Sequence, residues 1–461
     1  MTSPHDAIRA AAGDGWSDDP ATIAPHLVDW RGRVRGAAAM IVWPRSTDAV
    51  AAIVRAAAAG RVPLVPQGGN TGLAGGATPS PAGDAVIVST GRMTGIAAVD
   101  VAGLTVTVGA GAILADVQAA AAAAGLAFPL DLAAKGSATI GGLVSTNAGG
   151  VQVVRHGTMR AQIAGLEAVL PSGAVLDQLA PLVKDTAGYD IKQLLIGAEG
   201  TLGIVTRVCL RLVPGPRDRA VAWAGVASPD AALALLRRLR AEIGEVESFE
   251  LIPAAGVDLV AAHGLRPPLA QAAPWQVLIE LASPRAAGLT EALTAVLAAA
   301  SPIDAVVAQS EAQAAALWRL RETLPEAERR DGVAVKHDIA VPVPALPGFV
   351  AATTPAVEAA FAGSRVLAFG HLGDGNLHYN VRAPAGHDSA AWVAANGAAV
   401  TRLVNDRVVA AGGTSAAEHG IGSVKAAELA RLGDPARLAA MRAVKAALDP
   451  LGIMNPGKVL A

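Results

Sequence analysis

Two histidines stand symmetrically about an Asp-Gly dipeptide in Phe369-Gly-His-Leu-Gly-Asp-Gly-Asn-Leu-His-Tyr-Asn380, and that symmetry limits what this stretch can become. Asp-Gly between apolar flanks is a strong short-range hairpin signal. With Asp374 and Gly375 as the loop, Asn376 faces Gly373, Leu377 faces Leu372, and His378 faces His371 directly across the ladder. Directly opposed side chains share one face and lie only about 4.5 to 5.5 Å apart at Cβ. Asn380 and Phe369 join that face by the period of two, which sets an amide beside the imidazoles.

A pair of imidazoles supplies half of a metal site. The turn Ala417-Glu-His-Gly-Ile-Gly422 offers a carboxylate, Glu418, to complete it. Two histidines and one carboxylate around an open position are the donor set of catalytic zinc or a non-haem metal. His419 would then be a base next to that metal. The competing reading is a plain hairpin whose histidines pack or face solvent, with an exposed acid at Glu418; the opposed pair together with Glu418-His419 favours the metal.

A chain of 461 residues has room for two or three domains with ordinary cores. A net charge of -2 argues against a nucleic-acid footprint. Much of the apolar fraction of 52% is alanine, and no long window escapes Gly, Pro or charge, so no membrane span is expected. The N-terminus carries Asp14, Asp18 and Asp19 and lacks a basic-then-apolar leader. The single cysteine, Cys209, excludes an intrachain disulfide and fits a reducing compartment, so a cytoplasmic location is expected. Its setting, Val208-Cys-Leu210, reads as a buried strand thiol without a chemical role.

Residues 1–35 read as an irregular or helical lead-in. Ala39 to Trp43 reads as a strand, Ser46 to Ala59 as a capped helix with Asp48 in its first turn, and Val62 to Val65 as a second strand. This βαβ unit runs into Pro66-Gln-Gly-Gly-Asn-Thr-Gly-Leu-Ala-Gly-Gly76, where glycine permits close backbone approach and a concave nest of N–H groups for phosphate oxygens. The loop has no Gly-Lys-Ser/Thr ending and so is not a Walker loop; a long surface turn is the competing reading. Leu104 to Val108, Gly109-Ala-Gly111, an alanine-rich helix and Asp131 imitate a dinucleotide fingerprint, but Leu114 occupies the third glycine position, so a packed strand-turn-helix is the better account. Two more glycine-rich stretches, Gly136 to Gly150 and Ile196 to Val205, suggest one extended ligand touched repeatedly by backbone. A long dinucleotide fits this better than a single phosphate group.

The ordered motifs Pro66-Gln-Gly-Gly-Asn-Thr-Gly72, Gly136-Ser-Ala-Thr-Ile-Gly-Gly142, Asn147-Ala-Gly-Gly150, Gly197-Ala-Glu-Gly-Thr-Leu-Gly203, His371-x-Gly-Asp-Gly-Asn-x-His378 and Glu418-His-Gly-Ile-Gly422 resemble the FAD-linked D-2-hydroxyacid dehydrogenases, among the vanillyl-alcohol-oxidase-like flavoproteins. The resemblance runs from about residue 30 to Asn455-Pro-Gly-Lys458. It implies FAD contacts at Pro66, Gln67, Gly68, Gly69, Asn70, Thr71 and Gly72 in the first loop. In the second stretch it implies Gly136, Ser137, Ile140, Gly141, Gly142, Ser145, Asn147 and Gly150. Glu199, Gly200, Gly203, Ile204 and Asn455 complete the set. Nothing matches the histidine or cysteine that tethers flavin in some relatives, so bound FAD is expected to be non-covalent. The family's metal ligands match His371, His378 and Glu418, and its active-site base matches His419. Its substrate-binding arginine, lysine and asparagine match Arg321, Lys336 and Asn380. A threonine four residues after the arginine in some relatives falls here on Pro325, which changes the carboxylate pocket in detail.

Beyond Val213-Pro-Gly-Pro216, strands near Ala220–Gly225, Ser248–Ile252, Gln276–Leu281, Val306–Gln309 and Ala334–Pro342 alternate with helices near Pro229–Arg240 and Arg285–Ala299. The expected fold is therefore α+β: a two-part FAD-binding domain of the vanillyl-alcohol-oxidase type over residues 1–213, an α+β substrate and metal-binding domain over 214–425, and a helical C-terminal segment over 426–461. The resemblance implies oxidation of a D-2-hydroxy acid, such as D-2-hydroxyglutarate or a D-lactate-like acid, to the 2-oxo acid. A divalent metal, zinc by preference, would hold the substrate hydroxyl, and hydride would pass to flavin. The expected partners are an electron acceptor such as an electron-transfer flavoprotein or quinone, and a second copy in a homodimer. The alternative is a flavin-carrying electron-transfer subunit of a multi-chain glycolate-type oxidase.

Overall fold

The computed structural model of the protein describes residues 3–460. The chain forms two compact units: one takes the chain up to Gly150, Gly157–Gly215 and everything from Glu418 onward, the other Val151–His156 and Pro216–Ala417. Glu418 and His419 thus fold with the first unit rather than with a domain ending at residue 425.

In the first unit the strands Met40–Val42 and Leu64–Gln67 both pair in parallel with Val86–Ser89. The helix Thr47–Gly60 links the first two, capped by Ser46, whose hydroxyl accepts the Ala49 N–H, with Asp48 in its first turn. A second sheet joins Thr105–Gly109, Ile204–Arg211, Ile163–Val169 and Val175–Gln178, every pair antiparallel. That pairing excludes a dinucleotide-binding βαβ unit at Gly109–Gly111, because such a unit needs a parallel sheet. Gly109 and Gly111 have packing reasons instead: an added Cβ would lie 2.1 Å from the Met93 and Thr90 carbonyl oxygens respectively. Cys209 is buried in the strand Ile204–Arg211.

The second unit is built on a seven-stranded antiparallel sheet in the order Asp304–Val307, Asp218–Val226, Trp275–Ser283, Val246–Pro253, Arg365–His371, Asn376–Arg382, Ala334–Ala340. Helices cover both of its faces. One face, with Ala222, Leu251, Ile279 and Leu377, packs against the helices Pro229–Glu242, Leu289–Ala300, Leu346–Ala360 and Ser389–Ala410. The opposite face, with Trp223, Ile252, Leu278 and Phe369, packs against Ala254–Ala262 and Glu311–Arg330. Strands buried on both sides read as near-continuous apolar runs, which is why Gln276–Leu281 shows so little polar alternation.

The helix Glu311–Arg330 opens on Ser310, which accepts the Gln313 N–H, and closes on Arg329 and Arg330, a charge order that suits its dipole. It buries Ala314, Leu317, Leu320, Arg321, Leu324, Ala327 and Glu328, a stripe of helical period that includes two charged residues. Pro325 lies inside it and has no N–H to give to the Arg321 carbonyl one turn earlier.

The central hairpin differs from the sequence expectation in register. His378 pairs with Phe369, and Asn380 with Leu367, so His371 and His378 are diagonal rather than directly opposed. The loop is Leu372–Gly375, closed by the Asp374 and Gly375 N–H groups on the His371 carbonyl at 3.3 and 3.1 Å. Two causes favour the longer loop. Leu372 is fully buried in the core on the four-helix face, and the Asp374 carboxylate accepts the Asn376 N–H at 2.9 Å. A shift of two residues preserves side-chain direction, so both histidines still share a face.

Candidate functional site

Alternation along four neighbouring strands collects the polar residues of the second unit on the face covered by Glu311–Arg330. Glu250 pairs with His371, Lys336 with Asn380, and Asp338 with His378. Each is flanked along its strand by residues of the opposite face, such as Leu251, Val335, Leu377 and Tyr379. The His371 and His378 rings lie 5.6 Å apart, nearly perpendicular.

Two buried carboxylates organise this patch, and the sequence reading named neither. Glu250, with no exposed side-chain surface, accepts from Arg321 Nε at 2.7 Å on one oxygen and from His371 Nδ1 at 2.5 Å on the other. Burial alone would push its carboxyl up, but the imidazole and the guanidinium outweigh burial and hold it at about 2. Glu328, equally buried, accepts from Lys336 Nζ at 2.7 Å and from Asn380 Nδ2 at 2.8 Å on the same oxygen. The Arg321 guanidinium also lies 5.0 Å from the Phe369 ring centre. Four of the predicted residues, Arg321, Lys336, Asn380 and His371, are thus bound into two pairs by two glutamates. The signal for Glu328 was its place on the buried stripe of a helix. Glu250 gave only an acid among apolar strand residues, Phe249 and Leu251.

In the first unit, residues 66–72, 141–142, 145, 199–200 and 203–204 line a cleft of about 310 Å³ together with Glu418 and His419. His419 Nε2 lies 3.5 Å from a Glu418 oxygen. The first loop is built by its own side chains: Gln67 Nε2 donates to the His26 and Ala77 carbonyls at 3.1 and 2.9 Å, and Asn70 Nδ2 to the Val28 carbonyl at 2.9 Å. Gly68 and Gly69 permit contact between loops, since an added Cβ would lie 2.2 Å from Thr139 Oγ1 and 1.9 Å from the Ser137 carbonyl oxygen.

Six predicted cofactor residues do not line the cleft. Gly136 and Ser137 are exposed beside it, and Ile140 is buried in the core. Asn147 ends the helix Ile140–Thr146 and accepts the Arg160 N–H at 2.9 Å. Gly150 makes room for the Asp131 carbonyl. Asn455 donates to the Gly76 and Glu199 carbonyls at 2.9 and 2.6 Å, tying the C-terminal segment to two of the loops.

Glu199, at φ 51°, turns its buried carboxylate onto the Ile421 and Gly422 N–H groups at 2.7 and 2.8 Å. It therefore anchors the turn that carries Glu418 and His419. A flavin dinucleotide fits this cleft on two observations. Thr139 Oγ1, at its wall, is buried with no hydrogen-bond partner, and nothing stands within 4 Å of where a Gly72 Cβ would project.

Comparison with known proteins agrees. A family model described as FAD binding domain matches residues 38–178, and one described as FAD linked oxidases, C-terminal domain, matches residues 215–459. The chain belongs to the FAD-linked oxidases. As a member of that family it is 39% identical to a D-2-hydroxyglutarate dehydrogenase of Xanthomonas citri pv. viticola, over 96% of this chain and 93% of the relative. It is also 39% identical to the mitochondrial D-2-hydroxyglutarate dehydrogenase of Bos taurus, over 96% of this chain and 80% of the relative. Among solved structures, alkyldihydroxyacetonephosphate synthase superposes with a TM-score of 0.73 at 17% identity, covering 99% of this chain and 85% of that one, a likeness of fold. Among the described residues, no helix of this FAD-linked oxidase is long and apolar enough to cross a membrane.

Burial pushes the Glu199 carboxyl up from its ordinary 4.5, against the pull of the two N–H groups and of Lys425 and Lys458. A carboxyl raised by folding contributes stability that is full below 4.5 and is lost as pH rises through its folded value. Glu199→Gln removes that dependence. The difference in unfolding midpoint between the chain and the variant should move in the variant's favour as pH rises above 4.5; a difference that stays flat with pH would contradict this account of Glu199.

Proposed function

We propose that this FAD-linked oxidase converts a D-2-hydroxy acid, D-2-hydroxyglutarate first among candidates, to the 2-oxo acid. The observation that carries the reading is the polar patch on the second unit's sheet. Two cations, an amide and two imidazoles meet on one covered face, each cation paired with a buried glutamate. The relatives' names support the choice of substrate. Those names are of dehydrogenases and give no support to a flavin-carrying subunit without a substrate site.

Arg321 Nε is committed to Glu250, which leaves the paired terminal nitrogens of the guanidinium to grip a carboxylate by two parallel bonds. Lys336 and Asn380, both anchored on Glu328, add a point charge and an amide donor. The grip orients the substrate's C2 hydrogen. Bound FAD, held non-covalently along the glycine-rich loops, supplies the acceptor for that hydrogen and its electron pair. His371 Nδ1 donates to Glu250, so a metal would be held through Nε2, and the His378 ring lies 5.6 Å away, centre to centre.

Glu418 completes the proposed ligand set. A bound divalent ion supplies Lewis acidity, of the kind that brings the pKa of bound water from 15.7 to about 7. Zinc is the preferred ion because it has no redox chemistry of its own. His419 accepts the hydroxyl proton as general base.

Anaerobic addition of D-lactate, D-2-hydroxyglutarate, D-malate, glycolate and D-mandelate to the FAD-bound protein tests the reading. D-2-hydroxyglutarate should bleach the flavin fastest; bleaching by none of them would overturn the proposal. His419→Asn should lower kcat by about a hundredfold or more while metal content is kept. A near-normal kcat would remove His419 from the mechanism.

A further inference from the structure

We infer that Glu250 is a positioning residue that couples the hold on the metal ligand His371 to the hold on the substrate by Arg321. The inference rests on the proposed function above. Three elements meet at this side chain: it stands on the strand Val246–Pro253, takes His371 from the neighbouring strand and takes Arg321 from the covering helix. Both carboxylate oxygens are used, one by each partner.

Because Glu250 has no exposed surface, neither contact can be exchanged for water. Its bond to Nδ1 fixes the imidazole tautomer in which Nε2 is the ligand atom; such outer partners of metal-bound histidines tune the ligand they hold. Its bond to Arg321 Nε, with the Phe369 ring on the flat side, fixes the plane of the guanidinium fork. Any motion of the carboxylate that served one partner would be felt by the other. Site occupancy by metal and by substrate carboxylate is therefore linked through this group, and linkage between two binding events is reciprocal.

The test uses the FAD-bound protein loaded with zinc. In Glu250→Gln, zinc affinity by chelator competition should fall about ten- to a hundredfold, and KM for D-2-hydroxyglutarate should rise together with it while FAD content is unchanged. Arg321→Lys should raise KM with a much smaller loss of zinc affinity. Glu250→Asp keeps the charge if the amide variant fails to fold, and its shorter arm should still weaken both properties. Nitrogen NMR of the unaltered zinc-loaded protein should find His371 protonated at Nδ1 and metal-bound at Nε2. Zinc affinity and KM like those of the unaltered chain in both Glu250 variants, or metal on Nδ1, would overturn the inference and leave the proposed function standing. An unaltered chain that neither holds zinc nor is reduced by any 2-hydroxy acid would defeat the proposed function and this inference with it.

Discussion

A charged side chain on a sheet face sealed by a helix must bring its own counter-charge, and the second unit follows from that constraint. The seven-stranded sheet is covered on both sides, so the Glu250 and Glu328 carboxylates, inward of the helix Glu311–Arg330, lose water. An unpaired buried charge is among the most costly defects a fold can carry. Here the charges come in matched sets: Arg321 with Glu250, Lys336 with Glu328. Each set also takes a further partner, His371 in one and Asn380 in the other, so charge pairing and side-chain orientation are achieved at the same carboxylates.

The first unit solves a different problem. Its glycine-rich loops must lie close together and still leave a cleft. Side chains that might have been assigned to a ligand, those of Gln67, Asn70 and Asn455, are spent on backbone carbonyls instead. What the loops leave for a cofactor is backbone, the Thr139 hydroxyl and the turn held by Glu199. Glycine serves two purposes in the same eleven residues: at Gly68 and Gly69 it admits another loop, and at Gly72 it faces open space.

Much of this was legible in the sequence, and the failures have physical causes. The strands and helices expected in the second unit stand close to where they were placed, as with Pro229–Glu242 against the expected Pro229–Arg240. Direction survived where register did not: a two-residue shift leaves His371 and His378 on one face, so the pairing error did not scatter the site. The shift could not be foreseen, because only the folded core shows that Leu372 belongs inside it. Glu250 and Glu328 escaped notice because local sequence does not tell a buried acid from an exposed one; burial is decided by elements far away in the chain, 71 residues for Arg321 and Glu250. The unit boundary at Glu418 was missed for a similar reason, since Glu199, which anchors the following residues, lies 222 positions earlier than Ile421.

The central claim is that the cations of the second unit's sheet face hold the substrate's carboxylate. It is tested most directly by the KM for D-2-hydroxyglutarate in Lys336→Met, which keeps most of the length of the side chain and removes its charge. The account predicts a KM raised about ten- to a hundredfold, the worth of one charge-assisted contact, with FAD and metal still bound. An unchanged KM would contradict it.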